Sequence, residues 1–476
     1  MSNMPELGFG QATPELVLDR LPVQGSLPDW LHGTLLRNGP GTFRVGQQQY
    51  RHWFDGLAML HKFSFGTGRV SYANKFLATK SYQEAQATGR IAYSEFATDP
   101  CRSLFGRVMA VFSPQITDSA KVSLARLAGQ FLALAETPIQ VAFDPETLET
   151  VGVFNYEPGL VGQMTTVHPH FDEAHDTAYN LVTRYHRISH YRIYSVRPGR
   201  DNQRLAQIPT KQPAYMHSFG MSQNHFILTE FPLVVNPLNL LLWLRPYIEN
   251  FRWQPQRGTP FWVINRHTGQ LVGRFDSDPF FAFHHVNAFE EGNELVVDLV
   301  AYPDASIVNA YYLNRLHDPQ AELPFGQLRR YRLPLGGGRA RYELLSEACM
   351  ELPRFDYERY NTNSQYRYVY AVSVNPQQRQ GFYNQLVKVD ARTGRVQTWQ
   401  ETDCYPGEPV FVGSPGRVAE DDGVILSVVL DAGQGTSFLL VLDAQSFAER
   451  ARATLPHPVL FGYHGDYFPA EPLLPR

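Results

Sequence analysis

The sequence predicts an all-β fold made of repeated hairpins, and a β-propeller is the natural architecture for it. A short β-branched or aromatic run, a turn of Asp, Asn, Thr and Gly, and a second such run recur five times along the chain. Alternating runs around turns of this kind are typical of β-hairpins. Helical patterns are few, and the 36 glycines and 34 prolines are spread evenly over 476 residues. Repetition of one local unit on this scale favours a repeat fold.

The five hairpin segments share the order of apolar run, polar turn and apolar run. They are HKFSFGTGRVSYANKF from His61, VAFDPETLETVGVF from Val141, FWVINRHTGQLVGRF from Phe261, LVKVDARTGRVQTW from Leu386 and LLVLDAQSFAERARATL from Leu439. Their spacing is irregular, and seven blades would take about 60 to 70 residues each, against roughly 40 to 50 in common propeller repeats. We therefore expect long insertions between the strands.

Helical patterns are clearest in two short stretches. Asp118 to Ala128 (DSAKVSLARLA) and Phe105 to Phe112 (FGRVMAVF) place apolar residues at helix-like spacing, and we expect both to be helical insertions on one face. No Ser/Gly-rich linker or low-complexity tract divides the chain. We therefore predict a single domain over residues 1–476.

The composition is that of a globular protein with a sizeable core. Hydrophobic residues make up 43% and charged residues 18% of the chain, which is far from the composition of disordered proteins. The formal net charge is -4 and no basic cluster interleaves with aromatic residues, so we expect no nucleic-acid partner. Cys101, Cys349 and Cys404 lie far apart without a CxxC pair, which argues against a disulfide framework or a thiolate metal site.

The chain carries no pattern of a secretory signal or a membrane-spanning helix. Its first residues lack a basic region followed by an apolar one, so we predict a cytoplasmic protein. The most apolar stretch, Pro232 to Phe251, is interrupted by prolines, asparagines and Arg245, which a spanning helix tolerates poorly. This stretch is nevertheless unusually apolar for a loop.

Four of the sixteen histidines stand out because their neighbours are aromatic or small and apolar at expected strand ends. They are His168 in HPH, His217 in AYMHSFGM, His284 in FFAFHHVNAFE and His464 in FGYHGDYF. Each alone is more often a core histidine than a ligand. In a propeller, however, strands of different blades face one axis, so histidines far apart in sequence can converge on a metal there. Spacing leaves His168 and His170 on one face and His284 and His285 on opposite faces, and it does not choose within either pair.

Three glutamates lie in apolar or turn contexts where a solvated face is a poor account of them. They are Glu136 in LALAETP, Glu351 in CMELPRF and Glu408 in CYPGEPVFV. A buried carboxylate needs a partner, and four neutral imidazoles leave the charge of a divalent cation uncompensated. Glutamates that accept the second ring N–H of the ligands would meet both needs, whereas capping or turn roles are the alternative.

The four histidines and Glu408 lie in segments that resemble the carotenoid cleavage oxygenase family. The likeness extends over nearly the whole chain in LRNGPG from Leu36, HWFDGLAMLHKFSF from His52, VHPHFD from Val167, YMHSFG from Tyr215, FHHVNAFEE from Phe283, YRYVYA from Tyr366, EPVFVGSPGRVAEDDGVILSVVLDA from Glu408 and the final FGYHGDYF. In this order the set is highly specific.

The resemblance implies a seven-bladed β-propeller capped by a dome of loops and short helices over the metal-bearing face. It implies an axial Fe(2+) held by His168, His217, His284 and His464. It also implies that Glu136 bonds His217, Glu351 bonds His284 and Glu408 bonds His464, with no glutamate for His168. No catalytic residue beyond the metal centre is expected.

The activity implied is that of a dioxygenase that uses O2 to split a carbon-carbon double bond of a carotenoid or apocarotenoid into two aldehydes. Within the family, cleavage of a stilbene-type phenylpropanoid or isomerohydrolysis of a retinyl ester are alternatives. A metal-free propeller acting as a binding module is the alternative from another class. Because a polyene must be drawn from a membrane, we expect peripheral membrane contact through residues 232–251 and 105–112, with burial against the propeller as the other interpretation.

Overall fold

Seven antiparallel sheets of four or more strands form the fold, which confirms the predicted seven-bladed β-propeller. The computed structural model describes residues 4–10, 14–100, 117–127, 129–154, 162–198, 200–241 and 245–470. The sheets are called blades 1 to 7 in their order along the chain. In each blade, one edge lies beside the candidate histidines and glutamates, and that edge is called the inner edge.

Blades 2 to 6 each form from consecutive strands, which run in order from the inner edge outward. Blade 2 consists of Ser123–Leu127, Gln130–Leu134, Gln140–Phe143 and Thr150–Phe154. Blade 3 consists of Met164–Thr165 and His170–Asp172 side by side, then Thr177–Arg184, Ser189–Arg197 and Arg200–Thr210. Blade 4 consists of Gly220–Met221, His225–Thr229, Phe261–Asn265 and Leu271–Phe275. Blade 5 consists of His285–Glu291, Glu294–Ala301, Gln327–Pro334 and Arg341–Cys349, and blade 6 of Glu351–Arg354, Tyr368–Ser373, Gln385–Asp390 and Val396–Trp399.

Blades 1 and 7 combine strands from both ends of the chain and so close the ring. Blade 1 consists of Gly465–Pro469, Gly33–Thr42, Leu57–Gly66, Arg69–Phe76 and Leu16–Leu18. Blade 7 consists of Cys404–Pro406 and Val410–Gly413, then Gly423–Asp431, Thr436–Asp443, Glu449–Thr454 and Val23–Gly25. The last strand pairs Gly465 with Arg37, and an early strand pairs Val23 with Ala453. These two exchanges tie the first and last blades together by backbone hydrogen bonds.

All five predicted hairpins are present, and four of them share one turn geometry. In each of the four, the first turn residue is Asp or Asn and the residue four places later has a positive φ: Asp144 with Leu148, Asn265 with Gly269, Asp390 with Gly394, and Asp443 with Phe447. The later residue donates its N–H to the carbonyl of the first at 2.8 Å in every case. The first side chain also accepts backbone N–H groups two or three residues on, as Asx turns do.

Central strands are buried on both faces because neighbouring blades pack against them from either side. Gly423–Asp431 is buried along nearly its whole length and Glu294–Ala301 is likewise buried. At the outer edges, Thr150–Phe154 alternates between exposed and half-buried residues, and Val396–Trp399 does the same up to its last residue, Trp399, which is buried. In keeping with this contrast, the central strands have nearly continuous apolar sequences, whereas strands at the outer edges mix polar and apolar residues.

Helices and short ribbons occupy the insertions between strands. Among the described residues, the α-helices are Met4–Phe9, Lys80–Thr88, Pro237–Leu241, Ser306–Ala310, Leu313–Leu316 and Tyr357–Tyr360, and the 3₁₀ helices are Glu173–His175, Tyr247–Asn250 and Pro255–Arg257. Two-stranded ribbons pair Arg44–Val45 with Gln48–Gln49 and Leu233–Val234 with Arg252–Trp253. Within the described residues, every helix is too short or too polar to be a membrane span.

The helix predicted from Asp118 to Ala128 is wrong. Ser123–Leu127 is instead the inner strand of blade 2, paired in register with Gln130–Leu134. The segment before this strand is held by a residue of blade 1, because the Asn38 side-chain amide donates hydrogen bonds to the carbonyls of Ala120 and Ser123. These tertiary hydrogen bonds and the strand ladder outweigh the local helical pattern. The other predicted helix, residues 105–112, lies outside the described residues.

Candidate metal site

Four histidines meet at the inner edges of four blades. Their ligand nitrogens all lie within 4.8 Å of one another, and the residues are His168, His217, His284 and His464. His217, His284 and His464 directly precede or lie within three residues of an inner strand, in blades 4, 5 and 1. His168 lies between the two short inner strands of blade 3. One histidine from each of these blades therefore faces a common point.

Three glutamates from the remaining three blades hold three of these imidazoles. Glu136 Oε1 accepts the Nδ1–H of His217 at 2.7 Å, and Glu408 Oε1 accepts that of His464 at 2.8 Å. Glu351 makes the corresponding hydrogen bond with His284 Nδ1. Because each Nδ1 is the donor, the Nε2 lone pair of each ring is left for the centre of the cluster.

Burial favours the neutral form of three cluster histidines, His168, His217 and His464. Burial lowers the pKa of His464 to about 4, against the opposing effect of Glu408. Burial also lowers the pKa of His217 in spite of Glu136, and burial together with the other histidines lowers the pKa of His168 far below its ordinary value. Neutral imidazole is the form that binds a metal ion.

The three carboxylates differ in their other partners. Tyr215 donates its hydroxyl to Glu136 Oε1 at 2.5 Å, and Tyr302 donates its hydroxyl to Glu351. Glu408 instead lies 3.9 Å from Arg37 and 3.7 Å from Arg354. Burial alone would raise the pKa of Glu408, but Arg354, His464 and Arg37 hold it at about 2.

The cluster contains polar atoms that are unsatisfied within the described residues. His168 Nε2 is buried and has no hydrogen-bond partner there. His284 Nε2 and His464 Nε2 lie only 3.3 Å apart although both Nδ1 atoms are already donors to carboxylates. Facing lone pairs repel unless a cation lies between them, and an orphaned buried nitrogen is costly. The cluster is therefore consistent with a metal site.

The two neighbouring histidines that spacing left open are engaged elsewhere. His170 contacts the Phe219 carbonyl at 2.8 Å and the Tyr357 hydroxyl at 3.1 Å. His285 contacts the hydroxyls of Ser218 and Thr229, both at 2.8 Å. Both imidazoles thus serve the packing between blades, whereas His168 and His284 face the cluster.

A cavity of about 270 Å³ opens beside the cluster and reaches His217 and Glu136. Most of its wall is apolar or aromatic, and its members include Phe54, Phe96, Val122, Met164, Leu240 and Tyr247. The Phe54 ring stacks on His217 with centroids 5.9 Å apart. The volume lies near the lower end of the range for ligand pockets, and the mainly apolar wall with a few polar groups is typical of such sites.

Sequence reasoning missed the residues that support the carboxylates and shape this cavity. Tyr215 lies two residues before His217, so strand alternation could have pointed to it. Tyr302 lies in none of the quoted motifs, and the motifs that contain Arg37 and Phe54 did not show their roles, because each residue reaches the site from a different part of the fold.

The fold and site together define a β-propeller protein with a buried, carboxylate-supported four-histidine cluster. The family model described as retinal pigment epithelial membrane protein matches residues 9–469. A carotenoid isomerooxygenase from Galleria mellonella is 36% identical, and the alignment covers 94% of this chain and 93% of that protein. The human β,β-carotene 15,15'-dioxygenase is 33% identical, with 94% and 91% covered.

Solved structures give the same result. A cobalt-substituted Synechocystis apocarotenoid oxygenase superposes with a TM-score of 0.87 at 26% identity over 98% of each chain. The chain therefore belongs to the family of the retinal pigment epithelial membrane protein and the carotenoid cleavage oxygenases. The family that the sequence motifs indicated is confirmed.

Proposed function

We propose that this protein is a dioxygenase that cleaves a carbon-carbon double bond of a carotenoid or apocarotenoid and releases two aldehydes. The observation that carries the proposal is the convergence of four histidines on one point beside a mainly apolar cavity. The relatives named as carotenoid oxygenases support the reaction class. In the balanced reaction, one C=C bond and one O2 are consumed and each product carbon receives one oxygen atom.

The ion we assign to the site is Fe(2+), held by His168, His217, His284 and His464. The donor chemistry fits such an ion, because three ring tautomers are set by Glu136, Glu351 and Glu408, and His168 Nε2 is otherwise unpartnered among the described residues. Imidazole also suits other transition metals, so the family supports iron more than the ligand set does. An iron(II) ion held by these residues would supply the redox chemistry that activates O2 without an organic cofactor.

The residues of the chain position the substrate and exclude water. The cavity wall touches His217, so a polyene lying in the cavity has one part of its chain next to the cluster. Phe54 and Phe96, whose rings are 5.2 Å apart, form an aromatic wall on that side. A rigid substrate bound in one orientation has already lost its translational and rotational freedom, and this lowers the activation free energy of the reaction.

Product analysis tests the activity directly. The purified protein is assayed for iron and incubated under 18O2 with β-carotene, an apocarotenal, a stilbene and a retinyl ester. We expect about one iron per chain and two aldehydes from a polyene, each carrying one 18O atom. Cleavage of the stilbene alone, or an oxygen-independent alcohol from the ester, would assign the protein to the other activities of the family.

A metal-free binding module is the competing proposal from a different class. It requires a buried cluster of four histidines and three carboxylates to persist without a cation, which is unfavourable. A protein that contains no transition metal when purified, and whose thermal stability is unchanged by added Fe(2+), would support the binding module.

We also propose peripheral membrane contact through part of residues 232–251. The ends of this segment are buried, as Val234 (1% exposed) and Ile248 (6%) show, so burial is the correct interpretation there. Leu238, in the short helix Pro237–Leu241, is 61% exposed and also lines the cavity. An exposed apolar side chain at the cavity wall is where a lipid-dissolved substrate would enter. Residues 242–244 and 105–112 lie outside the described residues.

Vesicle co-sedimentation tests this contact. Leu238→Glu is expected to reduce binding to phosphatidylcholine vesicles severalfold, since a carboxylate disfavours insertion into the bilayer interface. Val418→Glu is the matched control, because Val418 is 90% exposed and lies outside the cavity wall. Equal effects of the two substitutions would contradict the contact.

A further inference from the structure

One section of the cavity wall contains a buried ion pair. Lys121 Nζ and Glu95 Oε2 form a salt bridge of 2.6 Å, and both side chains are 3% exposed. The Thr117 hydroxyl donates to the other oxygen of Glu95 at 3.1 Å. All three residues line the cavity, as does Ser94. We call Ser94, Glu95, Thr117 and Lys121 the polar wall.

The polar wall has hydrogen-bonding capacity to spare. Among the described residues, Glu95 is the one acceptor of the Lys121 ammonium, which has three N–H groups. Lys388 is equally buried but gives its ammonium to three acceptors, the Asp421 carboxylate and the carbonyls of Ala444 and Gln445. Ser94 Oγ is buried and has no partner within the described residues. The free groups at Lys121 and Ser94 belong to residues of the cavity wall.

The buried ion pair and the unpartnered polar groups of the polar wall lower the stability of the protein unless a ligand bonds to them. A buried ion pair is often no better than apolar side chains of the same volume, and unsatisfied polar atoms beside it add a further penalty. An apolar cavity that served hydrocarbons alone would gain nothing from such a wall. Polar groups placed in an otherwise apolar pocket fix the orientation of a ligand and select it.

The polar wall is rigidly connected to the histidine cluster. The residue after Lys121 is Val122, whose carbonyl accepts the backbone N–H of His464 at 3.3 Å and whose N–H donates to Leu134. Asp118, three residues before Lys121, accepts the N–H groups of Lys80 and Ser81. A ligand held by Lys121 is therefore held at a fixed position relative to the cluster.

We infer that the polar wall binds an oxygen-bearing end group, a hydroxyl or a carbonyl, of the polyene substrate. The inference rests on the proposed function and narrows its substrate class to oxygenated carotenoids and apocarotenoids. The Lys121 ammonium donates a hydrogen bond to the substrate oxygen, and Ser94 Oγ or Glu95 accepts the hydrogen bond of the substrate O–H when the group is a hydroxyl. Because one end is fixed, the same double bond is presented to the cluster in each turnover.

Binding measurements without oxygen test the inference apart from catalysis. Dissociation constants are measured anaerobically, by the shift of the polyene absorption band, for β-carotene and for a carotenoid of the same skeleton with a hydroxyl on each ring. An apocarotenal and its matching hydrocarbon form a second pair, which separates carbonyl from hydroxyl recognition. The variant is Lys121→Met with Glu95→Leu, since removing both charges leaves no buried charge unpaired. Ser94→Ala is a milder variant that disturbs packing little.

The wild-type protein is expected to bind the oxygenated member of at least one pair about 10- to 100-fold more tightly, as for a hydrogen bond to a charged group. The double variant should bring this ratio close to one, and Ser94→Ala should lower it severalfold. Lys62→Met removes a lysine paired with Glu146 outside the cavity wall and should leave the ratio unchanged.

Two results would overturn the inference: a wild-type protein that binds both members of each pair equally, or a double variant of wild-type iron content that keeps the wild-type ratio. Failure of the proposed function looks different. In that case the protein discriminates between the ligands as expected but releases no carbonyl product under O2. Conversely, cleavage of polyenes without discrimination leaves the proposed function in place and removes the inference alone.

Discussion

Glu351 and Glu408 each bond a cluster histidine, but neutralising Glu351 is predicted to lower mainly the metal affinity, whereas neutralising Glu408 is predicted to lower mainly the stability of the fold. Glu351 is buried to 1% exposure and accepts hydrogen bonds from His284, Tyr302 and the Leu352 N–H. Among the described residues no Lys or Arg pairs with it. Its negative charge is therefore directed at the cluster. Glu408 has the same role toward His464 but shares its charge with Arg37 and Arg354.

Glu351→Gln keeps the shape of the side chain and removes the charge. Loss of such a partner typically lowers metal affinity 10- to 100-fold, which is about 1.5 to 3 kcal/mol. We expect this loss in the affinity for Fe(2+). The free energy of unfolding of the metal-free protein should change by only about 1 kcal/mol, because the gain from removing a buried charge offsets the loss from a weaker hydrogen bond. Burial would raise the pKa of Glu351, but His284 and Tyr302 lower it below its ordinary value, so the carboxylate is ionised at neutral pH.

Glu408→Gln leaves Arg37, which is 4% exposed, without a counter-charge among the residues that the structure describes. Removing one partner of a buried pair costs about 3 to 5 kcal/mol, and we expect that loss in the unfolding free energy of the metal-free protein. Iron affinity is measured by competition with a chelator and stability by denaturant unfolding after chelation. A Glu351→Gln protein with wild-type iron affinity, or two variants with equal losses of stability, would refute this division of roles.

Three further predictions concern other parts of the molecule. Gly269→Ala should destabilise the protein by more than the about 1 to 2 kcal/mol that a non-glycine residue loses at a positive φ, because the new Cβ would lie 1.9 Å from the Leu205 carbonyl oxygen. Gly292 has a φ of 61° and open space around it, so Gly292→Ala should lower the free energy of unfolding, measured with denaturant, by the cost of the positive φ alone. Burial raises the pKa of Asp55 from 3.8 to about 6, so the protonated carboxyl is favoured in the folded protein, and the free energy of unfolding falls by about 3 kcal/mol as the pH rises from 4 to above 6. Asp55→Asn should remove this pH dependence of stability, and an unchanged dependence would contradict the prediction. Tyr215→Phe should weaken iron binding severalfold in the chelator assay, less than a glutamate substitution does, because it removes only a hydrogen bond to the carboxylate.

The sequence by itself determined the repeat and the chemistry available to it. Asp or Asn at the start of four hairpin turns and a residue of positive φ four places on are local features, since the side chain bonds its own turn. Five hairpins could therefore be placed before any tertiary contact was known. The residue types of the candidate site were also visible, because histidine and glutamate in apolar surroundings are costly unless they have a partner or a ligand.

Only the tertiary structure decided which of those residues meet. Strand alternation could not separate His168 from His170, because His168 lies in the gap between two strands and only His170 finds partners in Phe219 and Tyr357. Lys121 lies in a segment that the sequence predicted to be helical. Asn38, distant in sequence, donates hydrogen bonds to the carbonyls of Ala120 and Ser123, and these bonds help the chain after Lys121 to form a strand. The pairing of Lys121 with Glu95 in the cavity wall depends on that outcome. Long-range contacts of this kind leave no periodic trace in a single sequence, whereas turns and apolar runs are encoded by near neighbours.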